Sequence, residues 1–481
     1  MFSKIRRRIG SPSRLLVLAA VAGSAAAVAC HGGLLDVKDP DVVTPGQVGG
    51  PSGVPNQVNG LVGDFQNAYE GYVLYSGLFT DENILSGTFP TRIDVDERNV
   101  TYDNGSVTDD VWSPLQVSRA SADTGSTNFR AEMSDPAFAD VQDQLAQGIA
   151  LADLYGGYDR QLLAELFCQV VTHDRTAPVS PAEASQEALQ KFQDAEQSAQ
   201  AAGMADVEMA ALVGQARARV YAASSVQDYL DAASIVQNVP ADFTYMAEYS
   251  SNTNAQCNQV YGYSRGVCNL SLRWTVGDSL SSNRHNEKWA YLQEWTDQGL
   301  LEVDPPTLKP VDVGVHAIVL QHVYDGAASP IVLASGWEAQ MIRAEAELRN
   351  GQTQAAQDRV NALLNDASQA DNPMLQVNPA LGGPHQGLGG TLPAMAAFDS
   401  VTFTGNPATD LPQLARARAA GLWLSGQRQG TLRRFYEKDT GTGGGPLDLY
   451  PQGTQGNEVG LPIPKQEVDN NPNLSGTQSG C

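Results

Sequence analysis

Residues 336–364 read GWEAQMIRAEAELRNGQTQAAQDRVNALL, and their punctuation decides the fold class. Trp337, Met341, Ala344 and Leu348 fall at i, i+4, i+7 and i+11, so they share one face of a helix. Asn350-Gly351 follows, and both residues tolerate the left-handed conformation in which helices end. Residues 353–366 then begin a partner helix. A helix, a sharp stop and a second helix make a pair.

The same grammar recurs upstream. Residues 59–240 read as mainly helical. Leu145, Ile149, Ala152 and Tyr155 recur at helical spacing until Gly156-Gly157, which is expected to break the run. Leu162, Leu166 and Cys168–Val171 are expected to begin the next helix. Residues 181–201 form another, opened by Ser180 as cap and Pro181 in the first turn. Residues 205–223 and 225–238 make a pair whose stripes are Leu212, Ala216 and Val220 against Tyr229, Ala232, Ala233 and Val236. Small residues at such positions let helices approach closely. Helix pairs of this size suggest tetratricopeptide-like packing, although the strict repeat signature is absent. Residues 411–436 read as one more helix. Between these blocks, 241–330 is rich in aromatics, Asn, Ser and Gly and is expected to hold loops, short strands and short helices. Residues 370–410 and the tail from 437 are Gly/Pro-rich and loop-like. The fold class is therefore mainly α.

The N-terminus carries a different message. Lys4, Arg6, Arg7, Arg8 and Arg14 form a basic head, and no acidic residue occurs before Asp36. An alanine-rich apolar run, LLVLAAVAGSAAAVA, then ends at Cys30. Basic head, short apolar core and small residues before a cut site make a secretory signal. The run is shorter than the about 20 apolar residues of a membrane span. Ala27-Val28-Ala29-Cys30 has the small residues of a bacterial lipobox, with Ala27 in place of the more usual leucine. Residues 1–29 are thus expected to be removed and Cys30 to carry acyl chains, more than one being needed for stable anchoring. Residues 30–58 read as an extended tether. His31 follows the cysteine where an aspartate would signal retention at the inner membrane, which favours the outer one.

Composition narrows the partners. Removal of the signal takes five of the 30 basic residues and none of the 54 acidic ones, leaving a formal charge of −29. Such a surface repels phosphate backbones, so nucleic acid is not an expected partner. Hydrophobic residues make up 42% of the chain, enough for a real core. Cys168, Cys257, Cys268 and Cys481 remain after Cys30, and an envelope location permits disulfides. Cys257 and Cys268 flank a short polar, aromatic-rich loop and are the expected pair. Whether Cys168 and Cys481 pair stays open, because four cysteines allow three connectivities.

Four stretches, in this order and spacing, resemble the SusD/RagB family of outer-membrane nutrient-binding lipoproteins. They are the lipobox with LLDVKDPDVVTP, residues 336–364, LARARAAGLWLSGQRQGTLRRF at 414–435, and LPIPKQEVDNNPNL at 461–474. The resemblance implies one SusD-like domain over 59–481. Its scaffold would be 59–240 and 335–436, with 241–330 as the variable ligand side. It implies tetratricopeptide-like helix pairs bearing irregular loops and short strands that form a shallow ligand site. It implies a lid on a SusC-like TonB-dependent transporter, capture of oligosaccharides or in some members peptides, and no covalent chemistry. The residues themselves lead us to expect no cofactor and no metal. Within 414–435, Arg416, Arg418, Arg428, Arg433 and Arg434 concentrate positive charge. With Glu338, Glu345 and Glu347 they are expected to form a buried structural network, bidentate pairing suiting arginine.

Sugar recognition needs aromatic faces and planar polar groups. These cluster at Phe89, Arg92, Asp94 and Tyr102, and again at Tyr245, Tyr249, Asn254, Tyr261, Tyr263, Arg273 and Trp274. The expected ligand-binding residues are Phe89, Arg92, Tyr102, Tyr245, Tyr263, Arg273 and Trp274. Trp112, Trp337 and Trp423 lie on periodic helix faces and are expected in the core. Two rival readings come from other classes. One is a structural envelope lipoprotein without ligand. The other is a hydrolase, because Gly262-Tyr263-Ser264-Arg265-Gly266 fits G-x-S-x-G, a motif that requires a strand before the serine and a helix after it. His316 and His322 lack a third metal ligand, and GTGGG at 441–445 lacks the Lys-Ser/Thr of a phosphate loop.

Overall fold

Helices that follow one another in sequence stack side by side in space. The computed structural model describes residues 49–481 apart from 81, 84, 86–88, 254–255, 266–300, 305–317, 322–323, 325, 366–399, 451–455 and 477. A long helix α1 (Val54–Phe79) and a short α2 (Pro90–Asp96) come first. Gly105–Val107 and a π-helical turn, Thr108–Trp112, run directly into α3 (Ser113–Met133). Then follow α4 (Gln142–Leu166), α5 (Pro181–Ala202), α6 (Ala205–Ala222), α7 (Val226–Ile235), β1 (Thr244–Ala247) and α8 (Gln259–Arg265). The chain continues with β2 (Leu301–Asp304), β3 (Ile318–Gln321), β4 (Ile331–Ser335), α9 (Gly336–Arg349) and α10 (Thr353–Asn365). It ends with α11 (Pro407–Gly421), α12 (Gln427–Lys438) and α13 (Lys465–Asn470). Val54–Cys481 is one compact unit.

Within that unit α3 packs on α4, α4 on α5, α5 on α6, α6 on α7, α7 on α9 and α9 on α10, and α1 lies against α3 and α4. The strands form two antiparallel pairs, β1 with β4 and β2 with β3. The fold is mainly α, as the periodicity implies. Trp337, Met341, Ala344 and Leu348 are all buried, as are Trp112 and Trp423. Ser180 caps α5 through a complete capping box with Glu183, and α9 ends on Gly351 at φ +74°.

Four expectations are corrected. Gly156-Gly157 does not end a helix: α4 runs through both. A β-carbon on Gly157 would stand 2.7 Å from the Phe192 ring, so the glycine serves contact with α5 and not a turn. Residues 168–171 are not helical: Phe167 bridges Leu461, the chain bends at Cys168-Gln169, and Val170 bridges Val179. Residues 411–436 hold two helices, parted where Leu424 (φ 57°) and Gly426 (φ 72°) enter the left-handed region. The tether reading runs too far, since α1 begins at Val54.

The expected Cys257–Cys268 pair lies outside the described residues through Cys268; Cys257 itself is buried, its Sγ 3.4 Å from the Thr253 carbonyl. The pairing of Cys168 with Cys481, which the sequence leaves open, does form, with Cα atoms 5.7 Å apart. The physical reason is chain pairing: Leu461 lies beside Phe167 and Gly460 beside Cys481, which brings together two residues 313 apart.

The arginine–carboxylate network is present. Arg434 and Glu345 form a bidentate pair with side chains 3% and 1% exposed, and Arg418 approaches Glu338 at 3.6 Å. Arg433 donates to the Phe167 and Ala164 carbonyls. Glu347 instead pairs with Arg359. Glu165 and Arg217, on α4 and α6, are further buried members that the reading of 414–435 does not reach.

Candidate functional site

The site begins with a close approach. A β-carbon on Gly71 would lie 2.1 Å from the Asp110 carbonyl oxygen. Glycine there lets the π-helical turn press against α1, and π turns recur at functional sites. One helical turn on from Gly71, Tyr75 faces the same way and donates its hydroxyl to Asp110. From the opposite side α2 starts at Pro90, with Phe89 as its extended cap residue. Arg92, in its first turn, donates Nε to the Tyr75 hydroxyl (2.8 Å) and Nη2 to Asp110 (3.1 Å).

The fourth wall is α8. Asn258 caps it by accepting from Tyr261 N–H (3.0 Å) and ties it down by donating to Ser329 O (2.8 Å). Buried Glu70 accepts from Gln259 N–H at 2.9 Å; desolvation raises the pKa of that carboxyl, and the hydrogen bond only partly offsets it. Held in this way, α8 presents Tyr263, whose hydroxyl accepts from Arg92 Nη2 at 2.7 Å. The guanidinium carbon sits 5.0 Å from the Phe89 ring centroid and 4.8 Å from that of Tyr263. An arginine between two rings is a flat, amphipathic platform. Burial pushes the Tyr263 phenol up to about 12, so it stays neutral at physiological pH.

Arg92 and Tyr263 are buried, whereas Phe89 is 44% exposed and the Asp110 side chain 35%. The platform therefore offers solvent one aromatic ring beside one carboxylate. A ring can take the C–H face of a sugar and a carboxylate can accept its hydroxyls. That is recognition chemistry and supplies no paired nucleophile and base.

Three of the expected ligand residues, Phe89, Arg92 and Tyr263, thus meet, from segments about 170 residues apart. Tyr102 is half-buried, and its carbonyl accepts from Lys465 N–H (2.7 Å) at the start of α13. Tyr245 lies elsewhere: its hydroxyl is 3.4 Å from that of Tyr155, which stacks on Phe65. Nearby Tyr249 donates to Gln66 O. Gln66 and Tyr75 are nine residues apart on α1, roughly 14 Å of helix. Arg273 and Trp274 lie outside the described residues, as do Cys30, His316 and His322. Tyr75 and Asp110 are site residues that sequence reasoning missed. Ser264 falls inside α8 and not at a strand-to-helix turn, which removes the context a nucleophile elbow requires.

No family model matches the sequence, and no curated protein matches it. Solved structures do. A SusD/RagB family protein from Bacteroides thetaiotaomicron is similar with TM-score 0.61 and 14% identity, over 86% of this chain and 94% of that one. A SusD-like protein from Bacteroides fragilis gives 0.59 and 12%, over 92% and 99%. Surface glycan-binding protein A from Bacteroides uniformis gives 0.55 and 12%, over 89% and 98%. This chain has the SusD fold.

Proposed function

We propose that this protein is a surface-exposed outer-membrane lipoprotein that captures nutrient glycans and delivers them to a SusC-like TonB-dependent transporter. The observation that carries the reading is the Phe89–Arg92–Tyr263 platform with Asp110 at its edge. It is assembled from four elements, which keeps it rigid and lowers the ordering cost of binding. Fold neighbours that include a surface glycan-binding protein support the ligand class. The lipobox supports the anchor, and among the described residues no helix is long and apolar enough to cross a membrane.

Two experiments test it. Calorimetry of the soluble chain lacking residues 1–30 against a panel of neutral oligosaccharides should find a binder. Phe89→Ala and Arg92→Ala should each weaken it about tenfold or more, a loss of roughly 1.4 kcal/mol. Binding that survives both changes moves the ligand elsewhere. Labelled palmitate should enter the wild-type precursor and not Cys30→Ser. Equal labelling of the two would end the lipoprotein reading.

A further inference from the structure

The chain run that closes the fold is itself tied down. Residues 459–461 pass between two other segments. On one side Leu461 N–H donates to Leu166 O (2.8 Å) and Cys168 N–H to Leu461 O (2.9 Å). On the other, Val459 N–H donates to Cys481 O (2.6 Å) and Cys481 N–H to Gly460 O (3.4 Å). The disulfide joins the two outer segments across the middle one. It crosses at Gly460, where a β-carbon would stand 2.9 Å from Cys481 Sγ and 3.1 Å from Cys168 Sγ.

A buried cation lies against this bond. Arg433 Nη2 donates to Cys481 Sγ at 3.6 Å. Its Nη1 is held by Phe167 O (2.6 Å) and Ala164 O (3.3 Å), and its Nε by Glu437 (2.7 Å). The end of α4 thus fixes the guanidinium in place. Cys481 is exposed and Cys168 half-buried. A cation beside a cysteine sulfur favours the thiolate and with it the reduced state. Three carboxyls oppose it: Glu437, already paired with Arg433; Glu458, which packs on Gly480; and the α-carboxylate of Cys481 itself.

The same run supports the segment that leaves α2. Gly456 N–H donates to Glu97 O (3.0 Å), Lys465 N–H to Tyr102 O (2.7 Å), and Val100 N–H to Glu458 Oε2 (2.9 Å). Residues 97–102 therefore hang on a strap, 456–465, whose middle is pinned by the disulfide.

We propose that Cys168–Cys481 is a redox latch: dithiol reductants open it, Arg433 receives the Cys481 thiolate, and the freed strap loosens its hold on residues 97–102. The step balances. The dithiol closes to its own disulfide and gives up two electrons and two protons. The Cys168–Cys481 bond breaks, Cys168 takes one proton, and Cys481 remains a thiolate while the second proton goes to solvent.

The test uses the full chain in buffers of reduced and oxidised dithiothreitol. Arg433→Met should need at least a tenfold higher reduced-to-oxidised ratio for half-opening, and Arg433→Lys should restore most of the difference. In the reduced protein, iodoacetamide labelling of Cys481 should titrate below the ordinary thiol value of about 8.5, and in Arg433→Met should return to it. The Val100 and Lys465 amides should exchange at least tenfold faster on reduction, while those of α5 stay protected. An unchanged ratio in a folded Arg433→Met protein overturns the role of the cation. If Arg433→Met does not fold, the Cys168→Ser/Cys481→Ser protein decides: full protection at Val100 and Lys465 there overturns the latch.

Discussion

Glu345→Leu should destabilise the protein by about 3–5 kcal/mol, because it leaves Arg434 buried and unpaired, and Arg434→Leu by somewhat less, because Glu345 then keeps only Arg349. The double replacement should cost less than either single one. The geometry sets this order. Glu345 on α9 is gripped by Arg434 of α12 and, at 2.9 Å, by Arg349. Arg349 reaches on to both oxygens of Asp439 at 2.8 Å and lies over the Tyr229 ring. Burial opposes ionisation of Glu345, but Arg434 and Arg349 outweigh it and hold the carboxyl at about 2, against an ordinary 4.5. A pKa lowered in the folded state contributes stability that is complete above 4.5 and fades as pH falls towards 2. The span is worth about 3 kcal/mol. Urea midpoints measured from pH 6 to pH 2.5 should therefore fall more steeply for the wild type than for Glu345→Gln. Glu338, two turns earlier on the same face of α9, is the contrast. It is equally buried, but its arginines stand off at 3.6 and 4.0 Å and burial raises its pKa. Glu338→Gln should cost far less. Single changes at Glu345 and Arg434 that each cost under 1 kcal/mol, or a double change that costs their sum, would refute the coupling.

What could be read from the sequence follows the range of the forces involved. Helix pairs were legible because burial of one face imposes a period, and Trp337, Met341, Ala344 and Leu348 obey it. Ser180 with Pro181 marked a helix start for the same local reason. Phe89, Arg92 and Tyr263 could be proposed by residue type alone, although nothing in the sequence said that they touch. Tyr75 was hidden because it reads like Tyr69 and Tyr72, which are ordinary buried tyrosines of α1. Asp110 was hidden because its position depends on a π turn that has no composition signal. Leu424 adopts a left-handed conformation that leucine does not advertise, so α11 and α12 read as one helix. The cysteines show the limit most sharply. Nothing local pairs Cys168 with Cys481; backbone segments far apart in sequence bring them together.

Gly156-Gly157 fails as a helix stop for a reason that makes its own prediction. Local propensity counts glycine as a breaker, costing about 1 kcal/mol against alanine in a helix interior. Tertiary contact overrides it, because Phe192 of α5 needs the space on both sides. Its ring would meet a β-carbon on Gly157 of α4 at 2.7 Å and one on Gly214 of α6 at 2.5 Å. Tyr158 closes the edge with ring centroids 4.8 Å apart. One fully buried phenylalanine is thus the wedge on which three consecutive helices register. Phe192→Ala should cost about 3–5 kcal/mol, the sum of lost transfer energy and a cavity that helices so placed cannot collapse to fill. Gly157→Ala should also destabilise, by about 1–3 kcal/mol, because the ring has no room to retreat. In the Phe192→Ala background the sign should reverse. The added methyl groups of Gly157→Ala and Gly214→Ala would then occupy vacated space and lose the glycine penalty, recovering stability. Urea unfolding of the four proteins reads this directly. Additive losses, with no recovery in the combined variant, would mean that the helices are registered by contacts other than this ring.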